Sequence, residues 1–207
     1  MKPDTARIYD SEAEATGWLG PEITFGLTYK YITAGDTLLD LGIGTGLGSV
    51  LYHKAGLRVF GMDSSDEMLK VCEEKGFAEA LKRHDLGAAP YPFEDSSMDH
   101  VVSVGVLHLF RDLATVFQET SRIVRDGGLF AFVVADRGDR EEGEIVVGPE
   151  QTRTGSTITM YRHSEDQIDS LLLVCGFALL RSLEFPIYMD RERTREFRAR
   201  AYVTRRQ

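Results

Sequence analysis

The sequence predicts an α/β fold whose mainly parallel sheet ends in an antiparallel pair of strands. Three observations carry this. From Asp36 onward, apolar runs of four to six residues alternate with amphipathic segments of about ten to fourteen, the rhythm of successive βα units. The stretch LLDLGIGTGLGS, Leu38 to Ser49, joins a strand to a helix through glycines spaced two apart. Near the end of the chain, ALLRSLEFPIY and FRARAYVTRR follow one another with no full helix between them.

Taken in order, residues 1 to 34 read as two helical pieces broken at Gly17 to Pro21, a helical lid ahead of the first strand. Strands are expected at Thr37 to Leu41, Arg58 to Met62, Ala80 to His84, His100 to Val104 and Leu129 to Val134. Helix starts are signalled by Ser64 with Glu67, by Asp112, and by Ser164 with Gln167, where a short polar side chain can accept from the free N–H groups of a first turn. Gly56, Gly76, Gly127 and Gly176 supply the stops. Residues 136 to 163 are polar and then carry two β-prone runs around a Gly/Pro/Thr-rich centre, EIVVGPEQTRTGSTITMY, which predicts a hairpin or flap. The 207 residues suit a single domain, 1 to 207, carrying these additions.

Composition narrows the function. The apolar fraction is 43% and the charged fraction 28%, with no apolar run long enough to cross a bilayer. MKPDTARIYDSEAEATGW has acids and no apolar core, so it reads as neither a secretory signal nor a transit peptide, and a cytoplasmic location is expected. Cys72 and Cys175 are far apart and expected to be buried free thiols, with no metal site. A net charge of -9 argues against nucleic acid as a partner. The arginine-dense segment Arg191 to Arg206 reads as a solvated face in preference to an anion site. A small-molecule substrate is the expected partner.

The glycine loop admits several ligands until its spacing is read. A triphosphate loop needs Gly-Lys-Ser/Thr, and no lysine follows these glycines before Lys54. A dinucleotide fingerprint started at Gly42 would place Leu47 at its third small position, and one started at Gly44 would place Ser49 there. What remains is Gly42, Gly44 and Gly46 behind an acid, Asp40. A carboxylate at that lip repels phosphate and attracts ammonium or sulfonium, the two cationic groups of S-adenosylmethionine. A second acid, Asp63, ends the second strand about 20 residues on, where it can accept from a ribose diol. A third, Asp85, follows the third strand, where it can accept from an exocyclic amine while the Leu86 N–H meets a ring nitrogen.

LLDLGIGTG, VFGMDSSDEML, HDLGAAPYPFEDSSMDHVVSVGVLHLF and IVRDGGLFAFV resemble the successive motifs of class I S-adenosylmethionine-dependent methyltransferases, in particular the small-molecule group with D-x-x-x-x-P-F and L-H-H-type signatures. The resemblance implies a Rossmann-like, seven-stranded sheet, six strands parallel and the last reversed, with helices on both faces. It also implies that Asp40, Gly42, Gly44 and Gly46 meet the methionine part of the cofactor, Asp63 the ribose, and Asp85 and Leu86 the adenine, with Ser64 a further cofactor-binding residue. Val104 would lie beside the cofactor, Tyr9 would close over it, and S-adenosylhomocysteine would be the product. Leu109 stands where a second histidine is usual, and Asp126 where a proline is usual before Gly127 and Gly128.

Methyl transfer needs an aligned nucleophile and exclusion of water, and a base only if the nucleophile must lose a proton. His108, at the end of the fourth strand, is the candidate base or substrate contact. Tyr161 and His163 in MYRHS fall before a helix, where a helix-start role competes with substrate contact; Trp18 is a candidate lid residue. His53, His84 and His100 are expected to be packed or solvated. Two other functions stay open: an NAD-dependent oxidoreductase, which would lack a Tyr-x-x-x-Lys hydride-transfer pair here, and a protein that binds S-adenosylmethionine without turnover.

Overall fold

The computed structural model describes residues 3–138, 141–148, 157–188 and 196–207. Two helices come first, α1 (Pro3–Thr16) and α2 (Gly20–Thr28), broken where the sequence breaks. Then follow β1 (Thr37–Leu41), α3 (Val50–Lys54), β2 (Arg58–Asp63), α4 (Asp66–Lys75), β3 (Ala78–Arg83), β4 (Met98–Ser103), α5 (Ala114–Ile123) and β5 (Val124–Asp136). The chain continues through β6 (Glu144–Val147), β7 (Ile158–His163), α6 (Glu165–Val174), β8 (Phe177–Tyr188) and β9 (Glu196–Arg206).

Strands β3, β2, β1, β4 and β5 lie side by side in that order and run parallel. Beyond β5 comes β9, antiparallel, and then β8, antiparallel to β9. In this row of seven, β9 alone is reversed, as the sequence implies. The sheet nevertheless has nine strands and not seven, because the β6/β7 hairpin joins it. The reason is an edge left open: β4 ends at Ser103 opposite Phe132, while β5 runs on to Asp136. Ala135 already pairs with Ala199 of β9, so β7 takes the vacated edge through Ala135↔Arg162 and Asp136↔His163, and the backbone groups there find partners.

The central strand β1 is buried along Leu38, Leu39 and Leu41, as expected for a parallel strand covered on both faces. On one face, Phe117 of α5 meets Phe130 and Phe132 edge-on at 5.3 and 5.2 Å, and Tyr202 stacks on Phe132 at 5.1 Å. Ile168 and Leu172 of α6 join the same core. On the other face, Tyr52 of α3 meets Phe25 of α2 edge-on at 5.1 Å and shares a 2.8 Å hydrogen bond with Thr28. Cys72 of α4 completes that side; Cys72 and Cys175 are buried free thiols.

Several boundaries move for physical reasons. The box at Ser164 and Gln167 forms as expected, but the cap of α4 is Ser65, not Ser64: its Oγ accepts from Met68 N at 3.3 Å. Gly76 and Gly176 follow helices at positive φ. Gly127 does not end α5, which stops at Ile123, with Val124 already extended and paired to Met98. The Arg125–Gly128 segment is instead looped out before Leu129 pairs with His100, and a side chain at Gly128 would lie 2.3 Å from Asp99 O. Tyr161 and His163, expected between hairpin and helix, belong to β7 itself.

Polar groups fix the frame. His100 is buried, its Nε2 3.0 Å from Asp36 Oδ2 and its Nδ1 accepting from Leu129 N at 3.3 Å, so it ties the start of β1 to β4 and β5. Arg122 of α5 donates to Phe93 O, Tyr91 O, Asp95 and Glu119, while Glu119 accepts from Tyr91 N. That hub holds the β3–β4 loop. Three arginines of β9 are likewise engaged: Arg200 with Asp136, Glu165 and Glu184, Arg198 with Glu141, and Arg206 with Ser121 O and Gly176 O. Among the described residues, no helix is long and apolar enough to cross a membrane and no cluster of three or more His, Cys, Asp or Glu could hold a metal.

Candidate active site

The strand order reverses between β1 and β4, and a cavity of about 490 Å³ opens at the carboxyl ends of these strands. Open α/β sheets bind ligands at such switch points. Sequence position explains why the loop after β1 can reach it. Gly42 and Gly46 have φ of +74° and +87°, a region costly to residues with a Cβ. The free space is also spent: a Cβ on Gly42 would lie 2.7 Å from Val106, and one on Gly46 2.4 Å from Phe77. The loop therefore folds back on itself, with Gly46 N donating to Ile43 O and Ser49 N to Gly46 O. The helix after the loop begins at Val50 and is short.

Asp63 ends β2 and holds the loop. Its Oδ2 accepts from Gly44 N at 2.9 Å and its Oδ1 from Ser65 N at 2.9 Å. Burial raises its pKa, and the N–H groups of Ser65, Gly44 and Ser64 oppose that shift. A carboxylate has about four lone-pair sites, so each oxygen keeps capacity toward the cavity that Asp63 lines. Asp40 sits beneath the loop, 2% exposed, and burial pushes its carboxyl up to about 7, with Ser49 pulling it back and the charge of Asp63 adding to the rise. Its Oδ2 lies 3.4 Å from where a Cβ on Gly48 would stand.

The cavity wall contains seven of the candidate cofactor and catalytic residues, Tyr9, Gly42, Gly44, Asp63, Ser64, Val104 and His108, and the candidate lid residue Trp18. Asp40, Gly46, Asp85 and Leu86 stand outside it. Gly46 faces Phe77 and Cys72. Asp85 is exposed and accepts from Gly87 N at 2.8 Å through Oδ1, and the buried Leu86 accepts from Tyr91 Oη at 2.7 Å through its carbonyl. His108 lies in a 3-10 turn, Leu107–Leu109, packed against β7. Tyr161 and His163 are not in the wall; Ile158 and Met160 of the same strand are.

Sequence reasoning missed other wall residues. Thr45, Leu47 and Gly48 line the cavity from the loop, and Ser65 and Met68 from α4. Thr45 Oγ1 donates to Asp10 of α1, which also meets Lys75 of α4, and Arg7 pairs with Glu74 at 3.1 Å. So α1 rests on the loop and on α4 through polar surface contacts. The side of the cavity beyond Val104 is apolar, with Trp18 and Pro21 from the N-terminal segments among its walls. Only period two could have pointed to Ile158 and Met160, which share one face of a strand.

Residues 39–132 match the family model for a methyltransferase domain. Over 108 residues the chain is 32% identical to malonyl-[acyl-carrier protein] O-methyltransferase of Serratia marcescens, covering 52% of this chain and 42% of that one. The chain therefore spans less than half the length of this curated relative. A S-adenosylmethionine-dependent methyltransferase of Methanosarcina mazei superposes with a TM-score of 0.73 at 20% identity, over 87% of this chain and 96% of that one. Magnesium protoporphyrin IX methyltransferase of Synechocystis PCC 6803, crystallised with bound S-adenosylmethionine, does so with a TM-score of 0.65 at 17% identity, over 90% and 77% of the two chains. These likenesses give the same fold. Somewhat under half of the chain, residues 39–132, is thus similar to a methyltransferase domain, within a fold shared with solved methyltransferases.

Proposed function

We propose that this protein transfers a methyl group from S-adenosylmethionine to a small-molecule acceptor. The observation that carries the reading is the Asp63 carboxylate, fixed by two N–H groups at the switch-point cavity with capacity left on both oxygens. The residues fit the cofactor in sign and shape. Asp63 accepts from the ribose hydroxyls; Gly42, Gly44, Thr45 and Gly48 bring backbone to the methionine part; the buried Asp40 gives that corner a carboxyl able to ionise toward an ammonium. Leu47 occupies the position where a dinucleotide fingerprint needs a small residue, which disfavours NAD. Any adenine contact at Asp85 uses the oxygen not engaged by Gly87.

Bound at this site, the cofactor supplies a methyl carbon already activated by its sulfonium, and displacement leaves neutral S-adenosylhomocysteine. The protein has the remaining tasks of alignment and exclusion of water. Tyr9 and Trp18 close the cavity from the N-terminal side, so α1 and the turn after it form the lid. Val104 and Val106 set the floor at the end of β4. His108 stands at the wall where it can take a proton from an acceptor hydroxyl or thiol.

Incubation with S-adenosylmethionine and a mixture of candidate acceptors tests the reading. Release of S-adenosylhomocysteine that depends on an acceptor supports an enzyme. Binding of S-adenosylhomocysteine without release under any acceptor would make the protein a binder without turnover.

A further inference from the structure

Beyond Val104 the cavity changes character. Val133 and Ala135 at the end of β5, Ile187 of β8, and Val147, Ile158 and Met160 of the hairpin form its outer chamber. Asp63, at the opposite corner, is the only acidic residue in the wall, and no lysine or arginine lines it among the described residues. The charges nearby are spent on one another. Asp136, next to Ala135, pairs with Arg200; Glu144 of the hairpin pairs with Arg111; Glu141 pairs with Arg198 and Arg162.

Resting on the methyl-transfer reading, we infer that the acceptor is a neutral molecule with an apolar body, such as a long-chain or aromatic alcohol. That body fills the chamber between β5, β8 and the hairpin, and the nucleophilic atom meets the edge at Val104 and His108. Among the described residues of the wall no arginine or lysine is present to meet a buried phosphate or carboxylate as such groups require, and an unpaired charge in this setting is costly. The chamber residues named above offer an ammonium no carboxylate. The hairpin thus sets specificity through Ile158, Met160 and Val147.

Trp18 is the only tryptophan in the chain and lines this cavity, so its emission reports on the chamber. In protein saturated with S-adenosylhomocysteine, 1-decanol below its solubility limit should change that emission saturably, and phosphocholine should not. Ile158→Lys should weaken the decanol response by roughly tenfold or more while calorimetric binding of S-adenosylhomocysteine is unchanged; Ile158→Leu should keep both. A saturable response to phosphocholine with none to decanol would overturn the inference, as would an Ile158→Lys titration identical to that of the parent protein. Failure of S-adenosylhomocysteine itself to bind the parent protein would instead overturn the cofactor reading beneath it.

Discussion

Asp63 accepts the Gly44 N–H at 2.9 Å, so the acid that ends β2 fixes the shape of the glycine loop that ends β1. Its second oxygen does the same for Ser65 at the start of α4. One carboxylate therefore braces both the glycine loop and the start of α4 at this corner of the cavity. Asp63→Ala should weaken S-adenosylhomocysteine binding by about 1 to 3 kcal/mol, since donors on the loop and on the ribose both lose their acceptor. Calorimetry measures it, and unchanged affinity would remove the ribose from this corner.

Asp40 predicts a dependence on pH. Burial raises its carboxyl from the ordinary 3.8 to about 7. The folded state then holds the proton more tightly, so the contribution from this group is full below pH 4 and is lost as pH rises through 7. Asp40→Asn should escape that loss. The stability of the variant relative to the parent should rise between pH 4 and 7, by up to about 4 kcal/mol at one pKa unit per 1.36 kcal/mol. Urea unfolding at several pH values checks the slope, and parallel curves would contradict it.

Gly46 tests the steric half of the loop argument. Gly46→Ala should destabilise the protein by about 1 to 2 kcal/mol for the positive φ and about 1 to 3 kcal/mol for the crowding by Phe77. Combining it with Phe77→Ala should relieve the crowding and leave the φ cost. A double-mutant cycle with no coupling would show that the ring does not exclude the Cβ.

If His108 takes the proton from the acceptor, its protonation in acid lowers kcat/KM. His108→Ala should remove that limb and lower kcat by about 10²-fold or more. Turnover that keeps the same pH profile in the variant would leave His108 as a wall residue.

The sequence-to-structure relation was uneven for reasons that particular residues make plain. β1 was legible to the residue because Leu38, Leu39 and Leu41 form a buried run stopped by glycine. The cap at Ser164 was legible because the acceptor and Gln167 act within one turn. Adjacent serines defeated the same logic at Ser64 and Ser65, since either could cap and only Asp63's bond to Ser65 N decides. The Arg122–Glu119 hub was invisible, because its acceptors lie on a loop about 30 residues away in the chain. The apolar chamber was invisible for a like reason: Trp18, Val133, Met160 and Ile187 belong to four separate segments that only the sheet brings together.

The most direct measurement is a pair of calorimetric titrations of the parent protein, one with S-adenosylhomocysteine and one with NAD. The account predicts saturable one-to-one binding of S-adenosylhomocysteine, weakened in Asp63→Ala, and no heat of binding from NAD. Saturable binding of NAD with none of S-adenosylhomocysteine would contradict it.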